Sequence, residues 1–163
     1  MTSEIRIQAD DFFKAYQVLY KNRNTASLAI MGPGIVCLSF SVELYLKDLH
    51  VILKGKGPRV HDILKLFDQL PTQVKQEIFA HKAISLNPFT TRGDMFSPQF
   101  YSDNYSLYDR FRDQIKTISN GFEKWRYSYE SNTLNYQTYF ALAFIEAVKA
   151  TADSKRKDLQ KFS

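Results

Sequence analysis

From Pro33 to Lys54 the chain reads as a single long helix that is apolar around most of its circumference, and this stretch limits its folds more than any other. A helix of this kind has to be enclosed by neighbouring elements. Pro33 sits near the first helical position and Gly55 closes the far end. Against Leu44, Tyr45, Leu46 and Leu49 runs one line of polar residues: Ser39, Glu43, Lys47, His50 and Lys54. Their spacings of 4, 4, 3 and 4 put them on one helix face. A Gly/Pro turn follows, and His61-Asp62 opens the next helix. The polar line is therefore either a structural ion-pair seam or the wall of a site.

The rest of the chain carries helical periods and no strand pattern, since no β-branched run alternates apolar with polar residues. A first helix is expected from Asp10, as its N-cap, to Asn22, with Phe12, Tyr16 and Leu19 on one face. A third, Arg59 to Gln69, carries Ile63, Leu64, Phe67 and Leu70, and Pro71 blocks it. A fourth runs from Pro71 to about Ala83, with Val74, Ile78 and His81 on one side. Ser85 to Asn104 breaks the pattern with Pro88, Gly93 and Pro98, yet holds Phe89, Phe96, Phe100 and Tyr101. So long a connection is read as a lid, a dimer contact or a packed Ω-loop. The fifth helix keeps three/four spacing from Tyr108 through Phe111, Ile115, Ile118, Phe122 and Trp125 to Tyr129, which predicts one long helix across Gly121. The last begins near Asn135 with Tyr136, Phe140, Phe144 and Val148 on its stripe and runs into the tail. The fold class is all-α: an up-and-down bundle of five or six helices. The long second and fifth helices form its central pair, and one long loop separates the fourth from the fifth.

The 163 residues suit one domain, 1–163. With 44% hydrophobic and 24% charged residues, wholesale disorder is excluded, and 13 Phe with 10 Tyr make the core ring-rich. Cys37 is the single cysteine; it rules out an internal disulfide, reads as a small buried hydrophobe and fits a reducing, cytoplasmic setting. No signal-peptide pattern opens the chain, because Glu4, Asp10 and Asp11 fall where an apolar core would be. Asn24 to Val42 lacks charge, but Gly32-Pro33-Gly34 interrupts it and amphipathic helix continues from it, so it reads as a buried helix and not a membrane span. The net charge is +5, and a basic helical tail from about Lys149 holds Lys149, Lys155, Arg156, Lys157 and Lys161 against Asp153 and Asp158. Such a tail suits nucleic acid, or else simply follows the preference of cations for a helix C-terminus.

Glu43 precedes Lys47 by one turn, the favourable order for a helical pair, and its apolar flanks imply burial and a further charge opposite. Arg126, beside Trp125 with Glu123 and Glu130 within a turn, is the natural partner. Two readings stand. In one, Arg126 and Lys47 hold a phosphate while His61 serves as acid or base. In the other, a buried network fixes helix register. His50, His61 and His81 lack paired ligand spacing, so no metal site is expected, and no cofactor is implied. Neither a phosphate loop nor a Ser-centred nucleophile elbow occurs.

The run Glu43 to Leu70, with its Glu-x-x-x-Lys, Gly-rich turn and His61-Asp62 at the head of a Leu-rich helix, resembles the HEPN superfamily of helical domains. The later run Trp125-Arg126-Tyr127-Ser128-Tyr129-Glu130 is similar to it as well. The likeness covers about half of the chain. It implies a bundle of four core helices with short additions, commonly a homodimer, in toxin–antitoxin, phage-defence or RNA-processing systems, often beside a nucleotidyltransferase-like partner. Catalytic members are metal-independent ribonucleases marked by Arg, four to six residues, then His. Here one residue separates Arg59 from His61, and no other Arg stands at the required distance before a His. On this pattern the chain resembles a non-catalytic binding module for RNA, a nucleotide or a partner protein. The implied polar seam is Glu43, Lys47, His61, Asp62, Arg126, Tyr127 and Glu130. The alternatives are a divergent ribonuclease using His61 with Arg126 or Lys47, and a structural bundle whose seam only specifies packing.

Overall fold

The computed structural model describes residues 3–22, 31–87, 106–119 and 137–161. Among them are seven helices and no strand: α1 (Glu4–Lys21), α2 (Met31–Lys54), α3 (Ile63–Asp68), α4 (Thr72–Ala80), α5 (Lys82–Ser85), α6 (Leu107–Ile118) and α7 (Thr138–Lys161). The chain is an all-α bundle. No described helix is long and apolar enough to cross a membrane.

The long apolar helix is α2, and it is enclosed as its composition requires. Leu38, Val42, Tyr45, Leu46 and Leu49 are all buried. Cys37 is half-buried at the edge of this core, and burial pushes its thiol pKa up. α1 packs along one side of α2 and α7 along another. The Ser41 hydroxyl donates to the Ala9 carbonyl at 3.0 Å, which seats α1 against α2.

α1 starts six residues before the expected Asp10 cap. Its N-cap is Ser3, whose hydroxyl accepts from the Arg6 backbone N–H at 3.1 Å. The buried positions of the early turns are Arg6 and Ala9 rather than large apolar residues, so no stripe announces them. Asp10 lies within the helix and points its carboxylate at other elements.

The fifth helix of the sequence reading, α6, is also not one long helix. Its start is firm: Ser106 and Asp109 cap each other reciprocally. It ends at Ile118, and Ser119 is extended (φ −67°, ψ 144°), with its hydroxyl donating back to the Ile115 carbonyl at 3.0 Å. The three/four period persists past a point where the backbone has already left the helix. Phe122, Trp125 and Tyr129 lie outside the described residues. Among the described residues α2 packs most extensively against α1 and α7, and α6 packs against α3 and α7. α7 has 24 residues and buries Phe140, Ala141, Phe144, Ile145, Ala147, Val148, Thr151 and Ala152.

Shorter corrections concern the middle of the chain. α3 is only Ile63–Asp68: Asp62 is its extended N-cap (ψ 119°), and residues 59–62 are not helical. The expected fourth helix is two: His81 is extended (ψ 138°), and its Nδ1 accepts from the Ala83 N–H at 3.2 Å to open α5. α7 begins at Thr138 rather than near Asn135. Ser85 closes α5, and of the aromatic connection up to Asn104 the residues from 88 onward lie outside the described residues.

α3, α4, α6 and α7 meet in an aromatic cluster. Phe111 lies 5.5 Å from Phe67, 5.2 Å from Phe79 and 6.0 Å from both Phe140 and Phe144 by ring centroid. Two of these four pairs are edge-on, the arrangement ring quadrupoles favour. The cluster anchors the short α3 and so fixes where the segment before it lies.

Candidate functional site

The site is built by the way the chain leaves α2. Gly55 adopts φ 73°, a left-handed conformation natural to glycine, and its N–H bonds the Val51 carbonyl at 2.8 Å. The following residues return along α2, and α3 then runs in the same direction as α2. Three contacts show the register. His61 meets Glu43, His50 meets Leu66, and Lys54 meets Gln69. The helix from Glu43 to Lys54 spans about 16 Å, within reach of an extended segment from Gly55 to His61.

This register divides the polar line of α2. Its C-terminal half serves α3 directly. The buried His50 ring donates from Nε2 to the Leu66 carbonyl at 2.9 Å, and Lys54 Nζ donates to the Gln69 carbonyl at 3.1 Å. Both satisfy carbonyls near the end of α3, which a helix terminus leaves unpaired. Burial pushes the His50 pKa below its ordinary value; the Leu66 carbonyl opposes the shift and Lys54 adds to it.

The N-terminal half is different. Glu43 Oε1 accepts from Lys47 Nζ at 2.8 Å and from His61 Nδ1 at 2.9 Å. The Glu43 and Lys47 side chains are 11% and 13% exposed, whereas that of His61 is 78% exposed. A carboxylate only accepts, so Nδ1 carries the hydrogen and Nε2 is the acceptor of the neutral ring. No described residue bonds Nε2. Asp62 accepts from the Lys65 N–H at 2.9 Å and acts as the cap of α3. Ser39 is buried, and its hydroxyl finds no partner among the described residues. The structure thus brings Glu43, Lys47 and His61 together, with Asp62 adjoining. Arg126, Tyr127 and Glu130 lie outside the described residues; among those described, Lys47 is the cation that balances Glu43.

Around His61 the returning segment is exposed and basic. Lys54, Lys56, Arg59 and Lys65 are all exposed, and Asp62 is the one acid between them. Among the described residues Lys56, Arg59 and Lys65 have no ion-pair partner.

A second polar cluster, not anticipated from the sequence, joins α1, α2 and α7. Asp48 is fully buried and accepts two bonds from Arg156, at 2.9 and 3.0 Å. Arg6, itself buried, lies 3.6 Å from Asp48, 3.4 Å from Asp10 and 3.0 Å from Asp153. Asp10 accepts from the Tyr45 hydroxyl at 2.5 Å and from Lys149 at 3.2 Å. Burial raises the Asp10 pKa, but the Tyr45 and Lys149 bonds and the charges of Lys149 and Arg6 outweigh it, leaving the carboxyl below its ordinary value. For Tyr45, burial and the Asp10 carboxylate both push the phenol upward. Lys155 completes the set with Glu77 at 2.6 Å. The basic tail is therefore largely spent on ion pairs within the bundle. The sequence signals were the Arg6–Asp10 and Asp153–Arg156 spacings, each one helical turn. Neither says which third helix it meets.

No family model, no curated protein and no solved structure matches the chain.

Chemically, the two clusters differ in access. The Asp48 cluster is balanced, with four acids for four cations, and Asp48 and Arg6 at its centre are buried. The Glu43 cluster is a buried carboxylate presenting an exposed imidazole beside unpaired cations, an arrangement able to meet an anionic group from solvent. No set of three or more His, Cys, Asp or Glu that would hold a metal occurs among the described residues.

Proposed function

We propose that the chain is a HEPN-like binding module that contacts the phosphates of RNA through the returning segment between α2 and α3. On this reading it works as a homodimer within a defence, toxin–antitoxin or other RNA-related system, with a nucleotidyltransferase-like protein as its partner. The observation that carries it is the exposed run of Lys56, Arg59, His61 and Lys65, in which His61 is tied at Nδ1 to the buried Glu43. Unpaired cations on a surface are the groups that neutralise phosphates and release their counterions. An imidazole fixed at Nδ1 offers Nε2 in a defined direction; as the acceptor of the neutral ring it suits a ribose hydroxyl, while the cations take the phosphates.

The test is binding of mixed single-stranded RNA in the absence of metal, over a salt series. Three phosphate contacts predict a log–log salt slope of about −2, at about 0.7 per contact on single strands. Replacing Lys56 and Arg59 together by Ala should reduce the slope to about −0.7 and leave the melting temperature unchanged, because both side chains are exposed. Unchanged RNA affinity in that double variant would refute the reading. RNA cleavage that vanishes in His61→Ala would replace it by the divergent ribonuclease. No binding at all, with His61→Ala lowering only the melting temperature, would leave a structural bundle.

A further inference from the structure

Ser119 lies at the end of α6, yet it completes the start of α3. Its hydroxyl donates to the Ile115 carbonyl and accepts the Leu64 backbone N–H, both at 3.0 Å. The residue is buried, 4% exposed. The first turn of a helix leaves its N–H groups without internal partners, and so short a helix as α3 has little cohesion of its own. Two side-chain oxygens fill that first turn: Asp62 takes the Lys65 N–H and Ser119 takes the Leu64 N–H. They are not equivalent. Asp62 belongs to the turn and moves with it. Ser119 comes from 55 residues away and fixes the turn to another helix. Ile63, Leu66 and Phe67 hold α3 in the core by apolar contact, which is non-directional. The Ser119 bond supplies the direction.

His61 stands three residues before Leu64, and its ring is 78% exposed, so few contacts other than the Glu43 bond orient it. We infer that Ser119 is a positioning residue for His61: its bond to Leu64 sets the first turn of α3 so that His61 Nδ1 reaches the Glu43 carboxylate. The consequence for RNA rests on the proposed function; the consequence for the ring does not.

The experiment uses the full chain with Ser119→Ala and Ser119→Thr. Ring 15N resonances of His61 report which nitrogen carries the hydrogen, and RNA titration reports affinity. In Ser119→Ala the ring resonances should move from the Nδ1–H form toward those of a free imidazole. RNA affinity should fall about fivefold, the scale of one net hydrogen bond. Ser119→Thr, which keeps the hydroxyl, should restore both. A Ser119→Ala protein that melts at lower temperature but keeps the wild-type His61 resonances would overturn the inference, as would a Thr variant that fails to restore them. If His61→Ala itself binds RNA like the wild type, His61 takes no part in RNA contact, and the ring spectra alone decide the role of Ser119.

Discussion

Asp48→Ala is the substitution whose cost the structure defines most sharply. The side chain is 0% exposed, accepts two bonds from Arg156, lies 3.6 Å from Arg6 and accepts the Ser3 hydroxyl at 2.5 Å. Its removal leaves two guanidinium groups, 9% and 20% exposed, with Asp153 at 3.0 Å from Arg6 and 3.4 Å from Arg156, and Asp10 at 3.4 Å from Arg6. Removing one partner of a buried pair costs about 3–5 kcal/mol, chiefly because the other charge is left uncompensated. Residual access of Arg156 to water, and the bonds Asp153 retains, put this case at the lower end, about 3 kcal/mol. In a domain of this length that corresponds to a fall in Tm of about 6–12 °C. The assay is urea unfolding, where the midpoint should drop with the slope unchanged. Lys161→Ala is the control: its pair with Asp158 has side chains 71% and 55% exposed, and its loss should stay within about 0.5 kcal/mol. A loss below about 1 kcal/mol for Asp48→Ala would refute the reasoning. It would mean that solvent already screens the cluster, and the basic residues of α7 would again be free for outside partners.

Two further outcomes follow from the geometry. The His50 pKa is held below its ordinary value of about 6.5, so the unfolded chain takes the proton first. The stability linked to His50 is complete above about pH 6.5 and is lost as pH falls toward the folded-state pKa. His50→Gln keeps a donor for Leu66, so its unfolding free energy should fall less between pH 7.5 and 5 than that of the wild type; parallel profiles would contradict the assignment. Gly55→Ala places a side chain at φ 73° and should cost about 1 kcal/mol. Gly57→Ala, whose Cβ would meet Val51 at 3.6 Å and Ile5 at 3.7 Å in ordinary contact, should stay within about 0.5 kcal/mol by chemical denaturation.

The all-α class and the enclosed α2 were legible because both depend on local period, and period is what a sequence states directly. The differences at α1 and α6 share one cause. α1 extends before Asp10 without a stripe to announce it, because its inward-facing early residues are Arg6 and Ala9, which a hydrophobic stripe does not include. α6 ends at Ile118 although the stripe continues beyond Ser119, because the hydroxyl there turns back on its own helix and receives Leu64. In each case side-chain hydrogen bonds and charges set the boundary, and their partners lie on other helices. The same reasoning explains the tail. Lys149, Lys155 and Arg156 are basic in sequence, but their neutralising partners Asp10, Glu77 and Asp48 are between 78 and 139 residues away.

The polar line of α2 makes the same point about function. Its spacing established that five residues share a face and left open whether the face is seam or site. That choice is made outside the helix, at Gly55, whose left-handed backbone sends the chain back along α2. With α3 laid parallel, His50 and Lys54 meet carbonyls and become structural. Glu43 and Lys47 instead meet the segment before α3, where His61 arrives as a side chain with one nitrogen engaged and the ring largely in solvent. The line is therefore divided between Lys47 and His50: its far half is seam, and its near half holds the exposed ring on which the proposed binding rests. A substitution at His50 should be read in stability, and one at His61 in binding, although one histidine reaches from α2 to α3 and the other from the segment before α3 back to α2.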